Sequence, residues 1–420
     1  MFRRGGDAVT ECVSVNGRAY RWPRDPVVVV CVDGFEPDYM RRALRKGLLP
    51  GLARLRRRGF ATIAAGAMPS FTNPNNISIV TGVPPSVHGI SGNFFLDPDT
   101  GAEVMMNDPA FLRAPTILAA FSALGARVAA VTAKDKLRRL LAHGLVNGVA
   151  FSAEKADACT LAENGIEDCL AFVGRPLPGV YSAELSLFVL DAGLRLLEER
   201  RPDLMYLSLT DCVQHAHAPG SPEADAFYAA IDGRIARLAD LGAVVAVTGD
   251  HGMNDKARPD GAPEVRYLQD ILDAELGPGA ARVILPITDP YVAHHGALGS
   301  FACVYAEEPA RAAAARLLAS LPGMEMVLDR AAAAAGLSLP ADRIGDIVAI
   351  ADRRTALGAS PARHDLSALG GRRLRSHGGL ADAFVPFLLS RPLNARHAAA
   401  ARSHRVRNYD AFAYALNGVP

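Results

Sequence analysis

Runs of apolar residues that end abruptly in polar residues recur along the chain. Four of them are followed by charged or hydroxyl side chains: PVVVVCVDG at 26–34, ARVAAVTAKDK at 126–136, DLMYLSLTD at 203–211 and GAVVAVTGDHG at 242–252. Continuous apolar runs of this length are typical of strands that are buried on both faces of a parallel sheet. The pattern therefore predicts four such strands, each with polar residues at its C-terminal end.

Segments with helical spacing of apolar positions alternate with these strands, at 38–59, 115–125, 182–202 and 221–242. This alternation predicts an α/β fold, a mostly parallel sheet flanked by helices. After about position 256 the pattern changes to turns rich in Pro and Gly and to shorter strands such as ARVILPI and IGDIVAIAD. We therefore predict a catalytic core of residues 1–255 and 371–420, with a smaller α/β cap lobe inserted at 256–370.

Composition and charge exclude several classes of partner. Half of the 420 residues are apolar and the formal net charge is +1, so no basic face indicates nucleic-acid binding. Residues 1–26 lack the apolar stretch of a signal peptide, and no apolar run is long enough to span a membrane. The six cysteines form no CxxC pair. These features predict a cytoplasmic enzyme with reduced thiols, and leave open a monomer or a homodimer.

Aspartates and histidines gather at the predicted strand ends, where open α/β sheets bind their ligands. They are Asp33 in VDGF, Asp211 and His215 in DCVQH, Asp250 and His251 in GDHG, and His377 in SHGG. Asp211 and His215 would share one face of a helical turn. Each motif alone is also compatible with an ordinary turn or helix cap. Together they form a mixed Asp/His set that is typical of zinc sites.

Two further motifs add chemistry to this edge. Thr72 in SFTNPNN is either a helix cap or a nucleophile, and it needs a metal or a base to act as the latter. VTAKDKL holds Lys134 and Lys136, in a chain whose other lysines are Lys46, Lys155 and Lys256. An extended segment would place Lys134 and Lys136 on one face and turn Asp135 away. A solvated strand end is the alternative interpretation.

In order, VDG, PSFTNPNN, HGISGN, DCVQH, GDHG and a late HGG resemble the alkaline phosphatase superfamily, in its nucleotide pyrophosphatase/phosphodiesterase branch. The resemblance covers about the first 255 residues and the segment after 370. It implies two Zn²⁺ per chain, one held by Asp211, His215 and His377, the other by Asp33, Asp250, His251 and the Thr72 oxygen. It also implies that Asn93 contacts a phosphoryl oxygen, with Asp211 and His377 beside the substrate.

Within this branch the resemblance implies phosphonate catabolism, in which the carbon–phosphorus bond of phosphonoacetate is hydrolysed to acetate and phosphate. Thr72 would be the metal-activated nucleophile, although a zinc-bound hydroxide is the alternative. Two zinc ions and three aspartates leave a formal charge of about +1, and Lys134 with Lys136 raises it to about +3. Phosphonoacetate carries up to about −3, so the two lysines would bind its carboxylate.

Several alternatives stay open at this point. A dizinc nucleotide pyrophosphatase or phosphodiesterase would use the same metals, with Phe94 or Phe95 stacked on a base, although core packing is the favoured explanation for both rings. A metal-dependent mutase and a catalytically silent binding protein are further options. At most one of the adjacent residues His294 and His295 should reach the site, and neither is expected to be a metal ligand.

Overall fold

The fold was obtained as a computed structural model, which describes residues 12–288 and 295–420. The strands, in chain order, are β1 (Cys12–Val15), β2 (Arg18–Arg21), β3 (Val27–Cys31), β4 (Phe60–Ala65), β5 (Phe94–Leu96), β6 (Glu103–Met105), β7 (Val128–Thr132), β8 (Val149–Ser152), β9 (Leu204–Ser208), β10 (Val244–Thr248), β11 (Asn254–Asp255), β12 (Val265–Tyr267), β13 (Arg282–Ile284), β14 (Phe301–Tyr305), β15 (Met324–Asp329), β16 (Ile347–Ala351), β17 (Ala356–Gly358), β18 (Arg375–Ser376) and β19 (Phe384–Leu389).

The α-helices, in chain order, are α1 (Pro37–Arg45), α2 (Pro50–Arg58), α3 (Thr72–Thr81), α4 (Pro85–His88), α5 (Ile117–Ala123), α6 (Asp135–Ala142), α7 (Leu161–Asn164), α8 (Cys169–Val173), α9 (Glu184–Glu199), α10 (Cys212–Ala216), α11 (Pro222–Asp240), α12 (Leu268–Leu276), α13 (Ala310–Ser320), α14 (Arg330–Leu337), α15 (Ala395–Ser403) and α16 (Ala411–Asn417). Within the described ranges, none of these helices is both long and apolar enough to cross a bilayer.

A seven-stranded sheet forms the centre of the molecule, in the order β4-β19-β10-β3-β9-β7-β8. The five strands from β10 to β8 are parallel, whereas β19 runs antiparallel to both of its neighbours. The predicted α/β fold class is therefore confirmed, including all four predicted strands. The last residues of β3, β7, β9 and β10 are aligned in register, so the loops that follow them start at the same edge.

Both faces of this sheet are covered, which explains the unbroken apolar runs. Val28 and Val30 of β3 belong to one hydrophobic core, shared with α1, α2, α9 and α11. Val27 and Val29 face the opposite core, shared with α3, α5 and α16. Strands buried on both faces have no polar positions to alternate with. The charged side chains of this edge therefore lie in the residues that follow the strand ends.

A second, antiparallel sheet has the order β13-β14-β16-β15 and packs with α12, α13 and α14 around its own core. Met68 and Phe71, which precede α3, belong to the same core. The segment that leads into α3 and Thr72 therefore packs in the core of the second sheet. The division of the chain at 256 and 370 stays a prediction.

Helix α3 is held in place by a buried histidine. Ile90 donates its backbone N–H to His88 Nδ1 at 3.1 Å, so the proton of this ring is on Nε2, 2.9 Å from the Ser78 hydroxyl. His88 is fully buried, and burial lowers its pKa from 6.5 to about 3. The ring is therefore neutral in the folded protein and fixes the helix that begins at Thr72.

We expect His88 to make stability dependent on pH. Its folded pKa lies below its unfolded value, so its stabilisation is complete above pH 6.5 and is lost as the pH falls toward 3. The free energy of unfolding should fall by up to about 1.4 kcal/mol per pH unit in this range because of His88 alone. Urea unfolding of the parent and of His88→Gln should differ by this slope, whereas replacing the exposed His404 should leave the slope unchanged.

Candidate metal centre

The loops that follow three neighbouring strands bring the predicted acidic residues together. Asp33 follows β3, Asp250 follows β10, and Asp211 is the residue that precedes α10 after β9. All three side chains are buried, with exposed fractions of 5%, 0% and 8% respectively. Carboxylates that are removed from water in this way require a cation or a proton nearby.

Each predicted histidine is oriented by a backbone carbonyl. In every case Nδ1 lies within hydrogen-bond distance of a carbonyl oxygen: 2.8 Å from His215 to Arg375, 2.9 Å from His251 to Gly252, and 2.8 Å from His377 to Ser70. A carbonyl only accepts, so Nδ1 carries a proton, and the neutral form of each ring has its lone pair on Nε2. A second hydrogen bond of this kind is how proteins orient histidines that bind metals.

His251 Nε2 faces two oxygen atoms, the Thr72 hydroxyl, which can donate to it, and the Asp33 carboxylate, which cannot donate when ionised. His251 Nε2 lies 3.3 Å from Asp33 Oδ1 and 3.3 Å from Thr72 Oγ1. Asp33 Oδ1 is buried and accepts no hydrogen bond from the described residues. Two acceptors that face each other at this distance repel unless a cation lies between them. The geometry therefore fits a bound metal ion at this point.

Burial and the clustering of like charges also shift the pKa values of the site residues. Burial raises the pKa of the Asp33 carboxyl well above its usual value, and the neighbouring charges of Asp211 and Asp250 raise it further. Burial also raises the pKa of Asp250, while it lowers that of His377 well below its usual value. Clustered carboxylates and uncharged imidazoles are unfavourable alone but are a suitable donor set for divalent cations such as Zn²⁺.

Two overlapping groups of donors are close enough to hold ions. Asp33, Asp250 and His251 form one group, and Asp211, His251 and His377 form the other, each with its donor atoms within 4.8 Å of one another. The rings of His251 and His377 are stacked with centroids 3.6 Å apart, and His215 Nε2 lies 2.9 Å from Asp211 Oδ2. All six residues thus surround one space, and their division between two ions stays a prediction.

Thr72 and Asn93 are positioned by the start of α3. Thr72 is the first residue of the helix, and the backbone N–H of Asn73 donates to Asn93 Oδ1 at 2.9 Å. Because its oxygen is used in this bond, Asn93 has its amide N–H groups left to donate. Both Thr72 and Asn93 line a cavity that the predicted metal ligands also line. Their roles stay predictions.

The two lysines reach this cavity by a different geometry from the one expected. Both line it, but the segment is not extended: β7 ends at Thr132, and α6 begins at Asp135 with Lys134 as the preceding residue. The expectation of an extended segment is therefore wrong, because Glu154 accepts the Asp135 N–H at 2.8 Å and starts a helix. The Asp135 carboxylate does turn away, toward Ser152 and Arg138.

Asn76 and Ile287 were not predicted from the sequence, whereas His295 is one of the two adjacent histidines of which at most one was expected to reach the site. Asn76 donates to Asp250 Oδ2 at 3.2 Å and accepts from the hydroxyls of Tyr206 and Ser208. Ile287 and His295 also line the cavity, and the His295 ring lies 5.0 Å from that of His215. His294 lies outside the described residues. A doubled asparagine after a candidate nucleophile was the only available hint for Asn76.

The cavity formed by the described residues is small, with a volume of about 40 Å³. Sites for drug-sized ligands occupy roughly 300–1,000 Å³. The aromatic rings that could bind a base are used elsewhere: Phe95 is buried against Phe111 at 5.1 Å, and Phe94 packs on the core of the second sheet. The expectation that these rings belong to the core is confirmed, and the site has room for a small anion.

Comparison with known proteins places this geometry in a family. Phosphonoacetate hydrolase from Sinorhizobium meliloti, in complexes with phosphonoformate and with phosphonoacetate, shares 54% identity and superimposes with a TM-score of 0.91. The match covers 97% of this chain and 98% of that one. Murine ectonucleotide pyrophosphatase/phosphodiesterase 5 has the same fold, with a TM-score of 0.64 at 18% identity over 94% of this chain and 96% of that one.

Curated relatives match over shorter stretches. An uncharacterized pyrophosphatase/phosphodiesterase of Schizosaccharomyces pombe is 38% identical over 91 residues, 21% of this chain and 18% of its own length. Mouse ectonucleotide pyrophosphatase/phosphodiesterase family member 1 is 26% identical over 280 residues, 63% of this chain and 28% of its own length. The chain thus spans between 18% and 28% of the length of these relatives.

Residues 27–378, most of the chain, match the protein family described as type I phosphodiesterase / nucleotide pyrophosphatase. The resemblance to this branch, and to phosphonoacetate hydrolase within it, is confirmed. The shared fold and the arrangement of Asp and His residues at the ends of its strands lead to one conclusion. The chain belongs to the type I phosphodiesterase/nucleotide pyrophosphatase family.

Proposed function

We propose that this protein hydrolyses the carbon–phosphorus bond of phosphonoacetate to acetate and phosphate, with two Zn²⁺ as cofactors. The observation that carries the proposal is that Lys134 and Lys136 line the same small cavity as the buried Asp/His cluster and Thr72. A phosphonate with a carboxylate fits this set of residues, because its phosphonate group would meet the metal ions and its carboxylate would meet the two lysines. The neighbour at 54% identity, whose ligands are phosphonoacetate and phosphonoformate, supports the assignment.

Thr72 is the proposed nucleophile. Its Oγ1 would form a bond to phosphorus while the bond from phosphorus to carbon breaks, and the electron pair would go to the departing CH₂ carbon. Zn²⁺ ions held by Asp33, Asp250 and His251 and by Asp211, His215 and His377 would lower the cost of the threonine alkoxide and neutralise phosphonate charge. The Thr72 hydroxyl gives up its proton to solvent, the carbanion takes one up to give acetate, and water then cleaves the phosphothreonine ester to phosphate and the free hydroxyl.

The lysines act at the other end of the substrate. The electron pair released from phosphorus spreads onto the carboxylate oxygens as an enolate, so the negative charge near the lysines grows in the transition state. The same contact would therefore support both binding and catalysis. Asn93, whose amide oxygen is held by the Asn73 N–H, would direct its N–H groups at a phosphonate oxygen.

The experiment that tests the proposal is phosphate release from phosphonoacetate by the zinc-loaded protein, beside cleavage of bis(4-nitrophenyl) phosphate. We expect turnover of phosphonoacetate to exceed that of the diester. Diester cleavage alone would leave the metal centre in place but replace the substrate, and a nucleotide pyrophosphatase or phosphodiesterase would be the function. The cytoplasmic location and the oligomeric state stay predictions.

Metal content gives a separate test of the proposed ligands. We expect about two zinc ions per chain after expression with zinc, and about one in His215→Ala, because that change removes a single donor from one group. Elemental analysis of the purified proteins measures both values. Replacing the exposed His143 by alanine is the matched control and should keep the parent value. Less than about one zinc per chain in the parent would favour a catalytically silent binding protein.

A further inference from the structure

The Lys134 ammonium is held at the cavity by groups without formal charge. Its Nζ donates to the backbone carbonyl of Val180 at 2.8 Å and lies 5.0 Å from the centre of the Tyr181 ring. Among the residues that the structure describes, no carboxylate lies within ion-pair distance of this nitrogen. A carbonyl and an aromatic face both attract a cation, but neither cancels its charge.

Two other lysines show the contrasting arrangement. Lys46 pairs with Asp225, and the fully buried Lys256 pairs with Asp382 at 3.1 Å. Each of these ammonium groups is neutralised by a carboxylate, as expected for a lysine that ties two segments together. Lys134 is positioned without being neutralised, so its charge is available to a ligand in the cavity.

Tyr181 is well placed to control Lys134. It lies in the loop 174–183 between α8 and α9, and its side chain is 58% exposed. Tyr181 also lines a neighbouring cavity of about 480 Å³ together with Cys212 and Val213, which follow Asp211. Tyr181 therefore lies next to Lys134 and near the residues that follow Asp211, but it does not line the cavity of the predicted metal ligands.

Holding a lysine has a measurable value for binding. A free lysine side chain has many rotamers, and a ligand must restrict them before it gains the ion pair. A ring and a carbonyl that hold the ammonium in advance remove part of this cost from the binding step. The benefit applies only to a ligand that has a carboxylate for Lys134 to meet.

From these contacts, and resting on the proposed function, we infer that Tyr181 is a positioning residue that holds Lys134 and so gives the site its selectivity for carboxylate-bearing phosphonates. Tyr181 would not touch the phosphonate group or the reacting bond. Its effect should therefore appear through Lys134, in the affinity for ligands that carry a carboxylate and in the turnover of phosphonoacetate, and not with ligands that lack the carboxylate.

The test compares phosphonates that carry a carboxylate with one that does not. In the zinc-loaded Tyr181→Ala variant, we expect the KM for phosphonoacetate and the inhibition constant of phosphonoformate to rise by about threefold to tenfold. The inhibition constant of methylphosphonate, which lacks the carboxylate, should stay at the parent value, whereas kcat for phosphonoacetate should fall, because the same lysine contact strengthens in the transition state. Tyr181→Phe keeps the ring and should behave like the parent.

Phe384→Ala is the matched control, because Phe384 is an exposed ring 5.0 Å from the Arg405 guanidinium carbon and does not line the cavity. Equal effects of Tyr181→Ala on both inhibitors, or no effect on either, would overturn the inference while leaving the proposed function untouched. If the parent releases no phosphate from phosphonoacetate, the proposed function fails. Calorimetric titration of the same proteins with phosphonoformate and methylphosphonate still decides the role of Tyr181.

Discussion

Thr72→Ala is expected to lower phosphonoacetate turnover at least about a thousandfold, because removal of a nucleophile leaves only binding and electrostatic stabilisation. Thr72→Ser keeps a hydroxyl at the start of α3 and should retain part of the activity. Steady-state phosphate release measures all the rates, and zinc analysis shows whether each variant keeps its metal.

Thr81→Ala is the matched control for this prediction. Thr81 lies at the other end of the same helix and its hydroxyl donates to the Ile77 carbonyl at 2.7 Å, away from the metal centre. Its replacement should leave turnover close to the parent rate. If Thr72→Ala keeps more than about a tenth of the parent activity with its zinc bound, Thr72 is not the nucleophile, and attack by hydroxide becomes the mechanism.

Replacing Lys134 and Lys136 together by alanine is expected to lower kcat/KM for phosphonoacetate by about a hundredfold to a thousandfold. Each charge near the carboxylate can contribute on the order of 4 kcal/mol at an intermediate effective dielectric, before the cost of desolvation is subtracted. Cleavage of bis(4-nitrophenyl) phosphate, which has no carboxylate, should change less than about threefold, since the metal ligands and Thr72 remain.

The control for the lysine pair is Lys155→Ala, which removes an exposed lysine of the neighbouring loop that does not line the cavity. It should behave like the parent toward both substrates. Equal losses for phosphonoacetate and the diester in the double variant would mean that the lysines support the structure of the site rather than recognise the carboxylate. An unchanged rate for phosphonoacetate would mean that both lysines belong to a solvated strand end and do not bind the substrate.

Most of the architecture could be predicted because it depends on local patterns. The apolar runs fixed four strands, and their polar ends gave Asp33, Asp211 and Asp250 before any tertiary contact was known. Strands aligned at one edge then bring these residues together without further information. The α/β fold and the location of the site follow from the same reasoning.

The support around the site could not be predicted in this way. The carbonyls of Ser70 and Arg375 that orient His377 and His215 are backbone groups, which any residue provides. The helix that begins at Asp135 depends on Glu154, a residue of the loop that follows β8. Such contacts depend on how distant segments pack, and no residue type in the sequence marks them.

The position of β19 has a consequence for how the protein is made. This strand is placed between β4 and β10, and His377 lies just before it in the chain. During synthesis β4 and β10 leave the ribosome before β19, the strand that pairs with both of them. Pairing over such long sequence separations is slow. The proposed metal centre can therefore be completed only after His377 has been synthesised, so a nascent chain must keep Asp33, Asp211 and Asp250 without their full set of proposed partners until then.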